Sequence, residues 1–228
     1  MISHDYKAIF IHIPKCAGTS IEAVLGHHAD FSGYGRQDHR TIRRLKPHPN
    51  PIVAAARRSV CHMRYASRMA ALRAGFPYAN PRSMLTVTQA QFDTYFKFAF
   101  VRNPWDRLYS VYRKLMSGDW KTGEYGIDAP MEFDEFLERF AADPQLKPQT
   151  AFICGEDGTV LVDFIGRFEN LNQDFATVCD RVGLAHVELP HEIKGPGGDF
   201  RAAYSPAGRD IVARQFADEI ELLGYSFD

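Results

Sequence analysis

Three short runs of apolar, β-branched and aromatic residues punctuate the chain: Ala8 to Ile13, Phe96 to Val101 and Val160 to Ile165. Their length and composition predict buried strands. Between them the apolar positions recur at helical spacing. Ile21, Val24 and Leu25 predict a helix from Thr19 to Leu25, stopped by Gly26, with Thr19 and Glu22 matching a capping box. Ala54 to Ala74 is rich in Ala and Arg and reads as a helix ended by Gly75 and Pro77. Asn103 as N-cap and Pro104 in the first helical position open a helix that runs to Met116. Phe133, Phe136, Leu137 and Phe140 predict a helix over Glu132 to Ala142; Leu171, Phe175, Val178 and Val182 predict another, closed by Gly183. Ser205-Pro206 caps one last helix carrying Val212, Phe216, Ile220 and Leu223. Arg36 to Lys46 reads as a loop that turns helical, and Tyr78 to Thr88 and Lys194 to Asp199 as loops. Strands alternating with helices predict an α/β fold, a central parallel sheet covered on both faces. No repeat or boundary divides residues 1–228, so a single domain is expected.

Composition changes this picture little. At 228 residues, 45% hydrophobic and 24% charged, the chain has ordinary globular values. No apolar run approaches the roughly 20 residues that span a bilayer. Met1 to Lys7 is polar where a signal peptide would turn apolar, so a cytoplasmic location is expected. The four cysteines form no CxxC pair, and a structural metal is not expected. Charge distribution says more. Net charge is −1, yet Arg36 to Arg73 hold ten basic residues and one acid, Asp38. That asymmetry suits an anionic partner or, equally well, a solvated helix face. No nucleic-acid motif accompanies it.

Two segments carry candidate chemistry. In the first, a strand meets the turn Pro14-Lys15-Cys16-Ala17-Gly18 and then Thr19-Ser20 at a helix start. Backbone N–H groups, the Lys15 cation and two hydroxyls in that order suit a phosphate or phosphosulfate. An ordinary βα turn would read much the same. It is not a Walker A loop, because Lys15 precedes Gly18 instead of following a glycine and preceding a hydroxyl. In the second segment a strand delivers Arg102 at its C-terminal end, where open α/β sheets bind ligands. Arg102 can grip a phosphate bidentately, with Ser110 two helical turns on. Asp106 and Arg107 read as first-turn charge and a surface ion pair.

Together, PKCAGTS (14–20) and RNPWDRLYSVY (102–112) resemble the membrane-bound and bacterial carbohydrate sulfotransferases, the group that includes heparan sulfate 2-O-sulfotransferase. Tyr95-Phe96-Lys97-Phe98, residues 163–171 and residues 218–225 add to the likeness, which excludes roughly residues 47–90. The resemblance implies a three-layer P-loop-like fold. It also implies the sulfuryl donor 3′-phosphoadenosine 5′-phosphosulfate (PAPS), the product adenosine 3′,5′-bisphosphate (PAP) and no metal. Pro14, Lys15, Ala17, Gly18, Thr19 and Ser20 would then hold the 5′-phosphosulfate, and Arg102 and Ser110 the 3′-phosphate. Lys15 would stabilise charge on the leaving phosphate oxygen. His39, in the segment Asp38 to Arg43, is the candidate base, and an exposed role in a polar segment is its plain alternative. His12 is expected to be structural and Cys16 a small packing residue, while Glu169 reads as a functional residue or, equally well, a structural hydrogen-bond partner. Lys194 and Arg201 flank the glycine-rich loop as a candidate lid. Residues 36–90 would form the acceptor side, facing an anionic acceptor such as a saccharide. The rivals are a P-loop kinase using ATP and Mg²⁺, with Asp163 as its best metal carboxylate, and a non-catalytic PAP- or polyanion-binding module.

Overall fold

The computed structural model describes residues 1–28, 31, 35, 37–76, 79–117, 126–127, 129–185, 187, 189 and 199–228. The chain divides into two compact units, Met1–Val101 with Phe152–Glu192, and Arg102–Ala151 with Ile193–Asp228.

The first unit holds a four-stranded sheet in the order β1 (Ile2–Ser3), β2 (Ala8–Ile11), β3 (Phe96–Val101), β4 (Phe164–Arg167). β2, β3 and β4 run parallel, with Phe10 level with Phe98, and Phe98 level with Phe164. β1 adds an antiparallel edge not foreseen from sequence. The strands are apolar because the sheet is covered by helices, and residues Ala8 to Ile11 and Phe98 to Val101 are all buried. Phe10, Phe98 and Phe96 stack along one row, while Phe100 reaches Phe175. Gly166 in β4 is glycine for lack of room: a Cβ there would stand 2.5 Å from the Phe100 ring. β4 begins four residues later than the apolar run suggests, because Asp157-Gly158 turns the chain. Val160 is thereby spent on an antiparallel bridge to Cys154.

The helices in the Met1–Val101 part of this unit are α1 (Gly18–Val24), α2 (Ile42–Leu45), α3 (Pro51–Arg73) and α4 (Gln89–Thr94). α3 starts at Pro51 behind the cap Asn50, whose side chain accepts from the N–H groups of Ile52 and Val53. It buries none of its 23 residues. The stretch Tyr78 to Thr88, expected as loop, contains a 3₁₀ turn at Pro81–Met84, and Thr88 with Gln91 forms the capping box of α4.

In the second unit α5 (Pro104–Met116) has the predicted cap, Asn103 Oδ1 accepting from Trp105 N at 3.1 Å. It packs with α6 (Phe133–Phe140) around Trp105, Leu108, Phe136 and Leu137. Next in chain order is the short helix α7 (Thr150–Ile153); in the first unit α8 (Leu171–Val182) packs on β4 and ends at Gly183 with φ 69°. The last predicted helix is two, α9 (Pro206–Gln215) and α10 (Ala217–Leu223). The break at Phe216 keeps that ring buried and turns Glu219 inward to Gln149. Among the described residues no helix is long and apolar enough to cross a membrane.

Candidate functional site

Because β2 and β3 are parallel neighbours, their C-terminal ends share one edge of the sheet, and the chain leaves it at His12 and at Arg102. Asp163 immediately precedes β4 and so stands at the opposite edge. There its carboxylate accepts from Lys97 N at 2.8 Å and lies 3.0 Å from Lys97 Nζ. The carboxylate a kinase reading would need is therefore tied up at the wrong end of the strands.

The turn after β2 is strained. Lys15 (φ 71°) and Ala17 (φ 60°) both take the left-handed conformation that non-glycine residues avoid. Alternations of this kind turn successive N–H groups toward one concavity. The expected capping box is absent. Ala17, with no side-chain acceptor, is the N-cap of α1, so Thr19 and Glu22 lie inside the helix and their side chains serve elsewhere. Gly18 is required for space: a Cβ there would lie 2.0 Å from His12 Cδ2 and 2.2 Å from His12 Nε2. Cys16 is buried, its thiol 3.7 Å from Pro14 O, which agrees with a packing role.

The segment Gln37–His39 folds against this turn. Gln37 Nε2 donates to Thr19 Oγ1 at 2.6 Å, Asp38 N donates to Glu22 Oε1 at 3.0 Å, and His39 Nδ1 lies 3.3 Å from His12 O. The His39 ring tilts across the His12 ring with centroids 4.3 Å apart. The structure thus brings His39 to His12, where the chain enters the turn that bears Lys15. A carbonyl can only accept, so Nδ1 of His39 carries the hydrogen and Nε2 carries the lone pair of the neutral ring. Although the residue as a whole is exposed, lost hydration and the neighbouring His12 push the His39 pKa down to about 4.

Beneath lies a buried polar cluster that sequence reasoning missed. Glu22 is fully buried, with Oε1 3.1 Å from His12 Nδ1 and Oε2 3.1 Å from His28 Nε2. Burial would raise its pKa, but the contacts of His12 and His28 outweigh it and hold the carboxyl well below its ordinary range. Asp38 is held down likewise, burial being outweighed by the Met1 amine at 3.6 Å and the Arg40 guanidinium at 2.6 Å. His27, 1% exposed and with neither ring nitrogen bonded among the described residues, is pushed down to about 4 by burial. No three or more His, Cys, Asp or Glu side chains among the described residues are grouped to hold a metal ion. The hint in the sequence was the pair His27-His28, five and six residues beyond Glu22.

In the second segment the Arg102 fork meets Asp106, Nε and Nη2 donating to the two carboxylate oxygens at 2.8 Å each. Ser110 follows Asp106 by one turn on the same helix face. The Arg102 backbone is clamped by the buried Gln149 amide: Arg102 N donates to Oε1 and Nε2 donates to Arg102 O, both at 2.8 Å. Glu219 holds the second amide hydrogen at 2.6 Å. Gln149 carried no motif and went unnoticed in the sequence. Arg107 is not the surface ion-pair partner expected; it is 4% exposed and donates to Lys147 O at 3.0 Å. Glu169 is exposed in the 3₁₀ turn Phe168–Asn170. Arg201 is exposed beside Asp199, and Lys194 lies outside the described residues.

Residues 1–225 match the family model described as "Sulfotransferase family". A protein of Archaeoglobus fulgidus described as uncharacterized is 34% identical over 94 residues, which cover 41% of this chain and 72% of that protein. No solved structure matches.

Proposed function

Since this chain belongs to the sulfotransferase family, we propose that it moves a sulfuryl group from PAPS to a hydroxyl or amine of an acceptor and releases PAP. The observation that supports this is the packing of Gln37–His39 against Thr19 and His12, the residues that flank the Lys15 turn. Lys15 and the N–H groups of the turn hold the 5′-phosphosulfate, with Thr19 and Ser20 supplying hydroxyls. Arg102 and Ser110 take the 3′-phosphate. The acceptor oxygen attacks sulfur, the bond from sulfur to the phosphate oxygen breaks, and the acceptor proton passes to His39 Nε2. Charge gathers on the leaving phosphate oxygen, where Lys15 meets it. A phosphosulfate on the turn also raises the His39 pKa from its low resting value, making the imidazole a better base once donor is bound.

The acceptor is an anion, for example an acidic saccharide. From His39 to Phe92 the chain has no Asp or Glu and ten Arg or Lys, and α3 displays much of that charge without burying a residue. A solvent-exposed field of this kind attracts polyanions at low salt.

Calorimetric titration with PAP, and with ATP plus Mg²⁺, tests the donor. PAP should bind without Mg²⁺ and at least about tenfold more weakly to Arg102→Ala, which loses a charge-assisted contact. His39→Ala should keep PAP affinity while PAPS turnover falls about a hundredfold or more. Mg²⁺-dependent ATP binding without PAP binding would overturn the reading. PAP binding with no sulfuryl transfer in the wild type would favour a binding module.

A further inference from the structure

We propose that Glu22 is a positioning residue for proton transfer: its buried carboxylate holds His12 and the Gln37–Asp38 peptide in place so that His39 presents an unprotonated Nε2. The inference rests on His39 being the base and adds what holds it in that state.

Three separate pieces of chain converge on this one carboxylate. Oε1 accepts from Asp38 N, the backbone amide of the residue before His39, and lies 3.1 Å from Nδ1 of His12, the residue whose carbonyl holds His39 Nδ1. Oε2 takes His28 Nε2. His12 cannot retreat, because its far edge lies on the Cα of Gly18. Glu22 therefore fixes both groups that set the ring position and tautomer of His39, without itself touching the ring. Burying a carboxylate is costly, and a cap or a helix surface position would not need it. The cost is understandable where the carboxylate specifies a histidine's orientation, as partners behind functional imidazoles do. The charged and titratable groups around this assembly are His12, His27, His28, Asp38, Arg40 and the Met1 amine. Of these, Glu22 and Asp38 favour the protonated His39 and His12 opposes it.

The test uses hydrolysis of PAPS, with water as acceptor, and ¹⁵N NMR of the His39 ring. Wild-type His39 should be the Nδ1–H tautomer. Glu22→Gln keeps the shape but loses the charge: it should lower hydrolysis about tenfold, leave the KM for PAPS unchanged, move the acidic limb of the pH–rate profile to lower pH and populate the Nε2–H tautomer. His28→Gln removes a partner of the same carboxylate that touches neither His12 nor His39. It should cost stability while leaving limb and tautomer in place. A wild-type pH limb and tautomer in Glu22→Gln would overturn the proposal. If Glu22→Gln does not fold, a wild-type His39 found as Nε2–H overturns it alone. His39→Ala separates the two readings. If it hydrolyses PAPS normally the base assignment fails, whatever the tautomer arm shows; if it is dead while Glu22→Gln behaves as wild type, only the role of Glu22 fails.

Discussion

Replacing Gly18 by alanine tests whether the motif glycine exists to seat His12. The new methyl would stand 2.0 Å from Cδ2, 2.2 Å from Nε2 and 2.5 Å from Cγ of His12. Ordinary contact between carbons begins near 3.5 Å, so the ring would have to retreat by about 1.5 Å. It has nowhere to go: Glu22 stands 3.1 Å from Nδ1, the His39 ring is 4.3 Å away and the Phe10 ring 5.9 Å away by centroids. Forcing one extra carbon into such a site costs about 1–3 kcal/mol. With a urea dependence of roughly 2–3 kcal/mol per molar for a chain of this size, the midpoint should fall by about 0.3–1.5 M. PAP affinity should fall too, because shifting His12 disturbs the strained Lys15–Ala17 turn. Urea denaturation followed by circular dichroism, paired with calorimetry, reads both. A variant with wild-type midpoint and wild-type PAP affinity would refute the packing argument, and a lost midpoint with intact affinity would detach the turn from His12.

Two further outcomes follow from the buried groups. Asn103→Ala removes the cap of α5 and the donor that reaches Ser226 O at 2.7 Å; it should cost about 1–2 kcal/mol and lower Tm by roughly 2–6 °C in a thermal melt, with Asn103→Asp, which keeps the cap, in between. His27 has a folded pKa of about 4 against an ordinary 6.5, so the unfolded chain takes up its proton first as pH falls. Its share of stability is complete above pH 6.5 and is lost down to pH 4, about 2 kcal/mol of it between pH 7 and 5. Urea midpoints at those two pH values should therefore differ less in His27→Asn than in wild type.

The strands and most helices were legible because each rests on local pattern. Phe98 to Val101 is apolar throughout since both faces of β3 are covered, and α5 announces itself through Asn103-Pro104. The break at Phe216 was not legible, because apolar spacing continues through it and only the inward turn of Glu219 explains it. At the site, Lys15, Gly18 and Arg102 stood in motifs, and His39 stood before a polar helical stretch. Glu22 was misassigned for a physical reason: a Thr with a Glu three residues later does form capping boxes, and nothing local reveals that His12 and His28 compete for the carboxylate. Gln149 is a lone polar residue 47 positions from the backbone it clamps, a relation only tertiary structure can express.

The pairing of Arg102 with Asp106 bears on how an anion is caught and released. The guanidinium waits in register against an oxyanion of nearly the same bite as a phosphate face, its backbone pinned by Gln149. If Arg102 takes the 3′-phosphate as proposed, the arriving anion swaps partners with a fork already ordered, and the rotamer freedom it would otherwise quench was surrendered when the chain folded. Affinity at Arg102 is then the difference between two ion pairs, and each departure is assisted by Asp106 stepping back into place. A transferase that must shed a spent donor every cycle gains turnover from such a self-healing contact, at the expense of grip.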